Sequence, residues 1–151
     1  MIEILPVDRA YAAVLSELHC RTFDDGWSAD AMVEVLRSPG VWALLAVDDG
    51  MPVGFALGRL AADEAEVLSV GVLPQARRLG LGRALVAGLA ASVPRARALF
   101  LEVGEDNPAA RALYAGLGFK VVGRRDGYYV RPGGRRAAAL TMSAVPVNIA
   151  K

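Results

Sequence analysis

The chain has 151 residues, 54% of them hydrophobic and 22% charged, with a formal net charge of +1. That length predicts one domain, residues 1–151, with room for one full core, and the apolar content sets the composition apart from disordered chains. The near-neutral charge argues against a bulk electrostatic nucleic-acid binder, no apolar run reaches the roughly 18 residues that would mark a membrane span, and the lone cysteine, Cys20, leaves no internal disulfide.

Met1-Ile2-Glu3-Ile4 carries neither a basic n-region nor an apolar h-region. This predicts no secretion signal and, with a single thiol, a cytoplasmic protein. Ile2 to Pro6 alternates weakly and is expected as a first strand. A helix is expected from Ala10 to Thr22, with Tyr11, Val14, Leu15 and Leu18 on one face. Asp24-Asp25-Gly26 breaks it. Ser28 is placed to N-cap a second helix, Ala29 to Arg37, which ends at Ser38-Pro39-Gly40. His19, Phe23 and Trp27 read as packing between these helices, and Cys20 as an inert buried thiol.

Val41 to Val47 and Met51 to Leu60 are strands joined by Asp48-Asp49-Gly50, a strong hairpin signal. A second turn, Ala61 to Glu64, leads into a central strand whose apolar part is Val67 to Leu73. Pro74, with no N–H to give a ladder, stops it. Arg77-Arg78-Leu79-Gly80-Leu81-Gly82 then opens a helix that runs to Ser92 on a stripe of Leu81, Leu85 and Leu89. A strand passing through a glycine-bearing loop into a helix offers unpaired N–H groups and a partial positive charge, which favours a phosphate. Gly80 and Gly82 remove Cβ atoms that would hold such a ligand away, and Arg77, Arg78 and Arg83 add charge. The same turn is also compatible with a plain strand-to-helix connection. No Gly-Lys-Ser/Thr follows it, which excludes the nucleoside-triphosphate loop, and the third glycine of the dinucleotide fingerprint is absent.

After the link Pro94 to Arg97, Ala98 to Val103 is expected as a strand. Asn107 caps a short helix, Ala109 to Ala115, with Pro108 in its first turn, and Gly116 and Gly118 stop it. Phe119 to Arg124 and Ala138 to Ala144 read as the last two strands, flanking an arginine- and glycine-rich turn from Tyr128 to Arg136. The sum is an α/β (α+β) fold, with a mixed, mostly antiparallel central sheet of about seven strands and about four helices.

Two stretches carry a family resemblance. Arg77-x-x-Gly80-x-Gly82 after Val72-Leu73-Pro74, and Asn107-x-x-Ala110-x-x-Leu113-Tyr114-x-x-x-Gly118-Phe119, resemble the pyrophosphate-binding and downstream motifs of the GNAT superfamily of N-acetyltransferases. Leu101-Glu102-Val103 followed by Asn107, the Tyr128-Tyr129 pair, and His19-x-x-x-Phe23 with Trp27-Ser28 are similar to the bacterial ribosomal-protein-alanine N-acetyltransferases. The resemblance implies acetyl-CoA as co-substrate, direct transfer in a ternary complex, and a protein or peptide N-terminus as acceptor. It also implies no nucleic-acid or membrane partner, and a monomer or weak homodimer. The backbone of Val70, Gly71 and Val72 would pair with the pantetheine arm and hold the acetyl carbonyl. Arg77, Arg78, Leu79, Gly80, Leu81 and Gly82 would hold the pyrophosphate, and Asn107 would hydrogen-bond the cofactor. Glu102 would be the general base, Tyr114 the general acid, and Tyr128 and Tyr129 would clamp the peptide terminus. The segment Phe23-Asp24-Asp25-Gly26-Trp27 departs from the family's shorter Phe-Pro-Trp-Ser arrangement at the substrate entrance.

The chemistry asks for these residue types independently. An amine must be neutral to attack a thioester, and an N-terminal amine, with a pKa of about 8 against about 10.4 for lysine, is the easier one to deprotonate by a carboxylate. Glu102 interrupts the apolar strand ALFLEV, where burial would raise its pKa. A tyrosine can return a proton to a departing thiolate. Each residue also has a plainer reading. Glu102 can be the solvent-facing residue of an edge strand, Tyr114 a core aromatic, Asn107 a helix cap, and Tyr128 and Tyr129 strand aromatics. Arg131 to Arg136 can be a solvated turn or a contact for an acidic peptide. A single histidine gives no metal cluster, so no metal is expected. A small-molecule amine as acceptor, or a non-catalytic acyl-CoA-binding module, are the alternatives.

Overall fold

A computed structural model describes residues 1–149. Its elements in chain order are β1 (Ile2–Val7), α1 (Ala12–Thr22), α2 (Ala29–Arg37), β2 (Val41–Asp48), β3 (Met51–Ala61), β4 (Glu64–Val72), α3 (Leu81–Ser92), β5 (Ala98–Gly104), α4 (Pro108–Leu117), β6 (Lys120–Val130) and β7 (Arg136–Ala144). The strands form one seven-stranded sheet in the order β1-β2-β3-β4-β5-β7-β6. Every neighbouring pair is antiparallel except β4 with β5. Among the described residues no helix is long and apolar enough to cross a membrane.

The sequence explains why the middle of the sheet is covered on both faces. Along β2, Ala43, Leu45 and Val47 pack with Leu15 and Leu18 of α1 and Met32 of α2. The alternate residues, Leu44 and Ala46, pack with Leu81, Leu85 and Leu89 of α3. A strand buried on both faces reads as a continuous apolar run, as VWALLAV does. The β2–β3 turn has positive φ at both Asp49 (48°) and Gly50 (84°), as a two-residue hairpin turn of the strand-matching kind requires. Ser28 caps α2 through a hydrogen bond from the Ala31 amide, 3.1 Å.

Two expectations are corrected. The turn expected from Tyr128 to Arg136 is shorter, because β6 continues to Val130 and β7 begins at Arg136. Tyr129 pairs with Ala137 and Val130 with Arg136. Tyrosine and valine suit a ladder, and the surrounding arginines and glycines masked that preference. Cys20 is exposed rather than buried. His19, Leu15 and Leu18 take the inward face of α1, and the next residue is turned about 100° away from His19.

Candidate active site

The site is built where β4 and β5 part. Their parallel ladder covers only Glu64 with Ala98, Ala65 with Leu99 and Glu66 with Phe100. Just beyond, β4 carries one extra residue against β3: Leu57 faces Ser69 while Gly58 faces Val67. Such a bulge bends its strand. From there β4 stays with β3, pairing Val70 with Ala56 and Val72 with Gly54. Over the same stretch β5 stays with β7, pairing Glu102 with Thr141 and Gly104 with Ala139. The edges of β4 and β5 that would have met are left without a ladder partner.

A cleft of about 700 Å³ occupies one side of this gap, lined by Val70, Gly71, Val72, Arg77, Arg78, Gly80, Leu81, Gly82, Asn107 and Tyr114 among others. The start of α3 opens into it. Gly80 sits at the N-cap in the left-handed region (φ 75°), and no side chain caps the helix. Those amides are therefore available to an anion, with the helix dipole behind them. Arg78 is also left-handed, with φ 70°. Left-handed residues in such a loop help gather backbone N–H groups into an anion-binding concavity. Arg77 is pinned beside it by a hydrogen bond from Nε to the Val72 carbonyl, 3.1 Å. That contact occupies one of the backbone acceptors expected for the pantetheine arm. Leu79 is 56% exposed and does not line the cleft.

Two of the glycines expected to admit a ligand also serve packing. A Cβ on Gly71 would stand 2.7 Å from Thr22 Cγ2 and 2.8 Å from Phe55 Cε1, so β4 and the end of α1 touch only because it is absent. A Cβ on Gly82 would press on Leu113 of α4 at 3.3 Å. Asn107 takes both its expected positions. Its side chain accepts from the Ala110 amide at 3.1 Å, capping α4, and it borders the cleft.

A second cleft of about 440 Å³ adjoins the first, sharing Phe23, Val70, Asn107, Ala110 and Tyr114 with it. Glu102, Ser69, Asp25, Tyr129 and Arg131 complete its walls. Alternation along β5 turns Leu99, Leu101 and Val103 toward the α3–α4 core and puts Glu102 on the opposite face. There α1 and α2 cover β2 to β4 and leave β5 open, so Glu102 is exposed. The burial expected for this carboxylate is thus corrected, and its plainer reading as solvent-facing holds, although β5 is an inner strand and not an edge one. Tyr114 is half-buried, its ring edge-on to Phe119 at 5.9 Å, and burial raises the phenol above its ordinary pKa. It lines both clefts and also packs on the core.

The two expected peptide-clamping tyrosines part company. Four steps along β6 from Arg125 to Tyr129 match two along β7, from Ala139 to Ala137, so β6 bulges here. Tyr129 emerges with its hydroxyl donating to Glu102 Oε1 at 3.3 Å. Burial, and then the nearby Glu102 charge, push its pKa up to about 12. Arg131 lies over its ring at 4.6 Å and holds both carboxylate oxygens of Asp106, each at 2.8 Å. Arg131 keeps the Asp106 carboxyl below its ordinary pKa. Tyr128 lies outside both clefts, 49% exposed beneath Arg125. The sequence reading left Ser69 and Asp106 unassigned, and Arg131, read as part of a solvated turn or a contact for an acidic peptide, is instead held by Asp106. The one available signal was Ser69, a polar residue inside the apolar run VLSVGV.

The arrangement thus joins an uncapped helix start to a solvent-open carboxylate through one tyrosine. Residues 12–119 match the model of the acetyltransferase (GNAT) family. The chain is 38% identical over 134 residues to the N-alpha-acetyltransferase RimI of Mycobacterium tuberculosis, covering 85% of this chain and 84% of that one. It is 36% identical over 103 residues to the ribosomal protein bS18-alanine N-acetyltransferase of Escherichia coli K12, covering 67% and 68%. The crystal structure of the Escherichia coli ribosomal-protein-S18-alanine N-acetyltransferase superposes with a TM-score of 0.88 over 100% of this chain and 97% of that one, at 28% identity. Arabidopsis thaliana NAA60 in complex with acetyl-CoA shares the fold, with a TM-score of 0.77 at 21% identity over 95% and 98%. By motif, gap and family match alike, the chain belongs to the GNAT acetyltransferase family.

Proposed function

We propose that the protein moves an acetyl group from acetyl-CoA to the N-terminal α-amine of a protein, of the ribosomal-protein-alanine type, by direct transfer between two substrates bound together. The observation that carries this reading is the meeting of the two clefts at Tyr114, with an uncapped helix start on one side and an exposed carboxylate on the other. The names borne by its relatives support the acceptor. Solved acetyl-CoA complexes of the same fold support the donor.

In this reading the backbone amides from Gly80 to Gly82, with Arg77 and Arg78, hold the diphosphate, and the free edge of β4 at Val70 and Gly71 aligns the acyl arm. Acetyl-CoA supplies the activated acyl group. Glu102, directly or through one water, takes a proton from the incoming ammonium so that a neutral amine faces the thioester. A backbone N–H on the unpaired edge of β4 stabilises negative charge on the acetyl oxygen. Tyr114 stays protonated through neutral pH because burial raises its pKa, and it gives that proton to the departing sulfur. Desolvation makes a thiolate leaving into the same apolar corner more basic as well. Tyr129 and Arg131 wall the acceptor side, with Asp25 and Phe23 opposite.

The test is mass spectrometry of alanine-starting peptides after incubation with labelled acetyl-CoA. Label on the α-nitrogen is expected. Label found only on small amines of an extract would replace the acceptor in this reading, and acetyl-CoA binding without any turnover would replace the enzyme by a binding module.

A further inference from the structure

The chain's single histidine is tied to the acceptor cleft in a way the mechanism above does not use. His19 is buried, with 4% exposure. Its Nδ1 accepts from the Trp27 backbone N–H at 3.0 Å. A backbone N–H can only donate, so Nδ1 is unprotonated and the neutral ring carries its hydrogen on Nε2. Burial holds its pKa down, against an opposing pull from the Asp25 charge. Trp27 stacks on the ring at 4.3 Å and fixes its plane. Nε2 lies 3.2 Å from Ser69 Oγ, and the tautomer makes His19 the donor there. The Ser69 hydroxyl hydrogen must therefore point away from His19. It makes no other hydrogen bond within the described residues, and Ser69 lines the acceptor cleft.

Two of the other side-chain donors on that cleft are engaged, while the Tyr114 hydroxyl is assigned to the sulfur in the reading above and Asn107 stands where the two clefts join. Tyr129 donates to Glu102, and Arg131 is held by Asp106. The carboxylates of Glu102 and Asp25 can only accept. A lysine side-chain amine brings nothing but donors near its nitrogen. A chain N-terminus brings a donor, its amine, and one residue's width away an acceptor, its first carbonyl. Resting on the α-amine reading above, we propose that Ser69, oriented by His19, donates to the first carbonyl oxygen of the incoming chain and so selects N-terminal amines over lysine side chains. Ser69 is then a specificity-determining residue, and His19 a positioning residue that acts through it.

The test is initial-rate kinetics of the full chain with acetyl-CoA and two acceptors. One is an alanine-starting peptide, the other the same peptide with a trans-alkene in place of its first peptide bond. Wild type is expected to prefer the peptide by about 3- to 10-fold in kcat/KM, the worth of one neutral hydrogen bond. Ser69→Ala is expected to raise the KM for the peptide by the same factor, leave the KM for acetyl-CoA unchanged, and abolish the preference. Ser69→Thr, which keeps a hydroxyl, restores it. A Ser69→Ala enzyme that still prefers the peptide overturns the inference and leaves the proposed function standing. A wild-type enzyme that labels no peptide N-terminus removes both. Should Ser69→Ala fold poorly, equal use of the two acceptors by wild type overturns the inference on its own.

Discussion

Glu102 lines the acceptor cleft, His19 reaches it only through Ser69, and the two owe their properties to opposite environments. Glu102 is exposed and accepts a hydrogen bond from Tyr129, so it can meet a solvent-borne substrate without first being uncovered. If it is the base, Glu102→Gln, nearly the same shape without the proton affinity, lowers kcat by about 10²- to 10⁴-fold while the KM for acetyl-CoA stays put. Steady-state kinetics with each substrate varied in turn read both numbers, and an unchanged kcat removes Glu102 from the role. His19 makes a statement about stability instead. Burial, the larger influence, lowers its pKa below that of a free imidazole, and Asp25 opposes it. The unfolded chain therefore binds a proton at a higher pH than the folded one. The stabilisation from a neutral His19 is complete above about pH 6.5 and is lost as the pH falls from there toward the folded value, below which the loss levels off. Thermal unfolding between pH 7.5 and 5 is expected to show Tm falling on the acid side in the wild type, with a smaller fall in His19→Gln. Parallel curves for the two proteins would assign the acid sensitivity elsewhere.

At the scale of elements, what could be read in advance depended on whether one residue pattern decided the matter. Both helices after a clear N-cap, the Asp-Gly hairpin and the loop into α3 were legible because Ser28, Gly50 and Gly80 each force a local conformation. The splay of β4 from β5 beside Val70 was expected only through the resemblance, which has the Val70–Val72 backbone pair with an acyl arm, since no residue in VLSVGV by itself announces that a parallel ladder ends at Glu66. That is decided by which partner each strand keeps. The exposure of Glu102 could be read only as one of two alternatives for a similar reason: alternation along ALFLEV gives the face, but only the span of α1 and α2 says that the face is bare over β5. The true end of β6 was hidden by a bulge, and with it the turn of Tyr129 toward Glu102 rather than of Tyr128. Gly71 shows how tightly the elements around the gap are fitted. A methyl there meets Thr22 on α1 and the Phe55 ring on β3, both under 3 Å. Gly71→Ala is expected to cost about 1–3 kcal/mol of stability by overpacking, measured by denaturant unfolding. Gly80→Ala meets no atom within 4 Å, so its cost, about 1–2 kcal/mol, comes only from the left-handed backbone. If Gly71→Ala proves neutral, α1 is held against β4 less firmly than these distances require.

The whole molecule is two half-sheets, β1 to β4 and β5 to β7, joined by a ladder of three residue pairs and by α3 and α4 packed beneath. An exposed clamp stands at the joined end, where Arg97 pairs with Asp63 at 3.4 Å and with Glu64. Surface pairs of this kind contribute little, so the divergent ends depend on what fills the space between them. A ligand lying in that gap would touch β4 on one side and α4 on the other, and so would act on the whole architecture rather than on one pocket. Acetyl-CoA at about 100 times its Kd is expected to stabilise the fold by about 2.7 kcal/mol, a rise in Tm of roughly 5–11 °C for a chain of this length. S-acetylpantetheine, which lacks the diphosphate, reaches β4 but leaves the start of α3 without an anion. At the same concentration it is expected to raise Tm far less. Hydrogen exchange should separate the two contributions: the full ligand slows amides at the start of α3 and along Val70–Val72, the truncated one only the latter. Equal protection of the α3 start by both ligands would mean that the diphosphate is held elsewhere, and the assignment of Arg77 through Gly82 would fall with it.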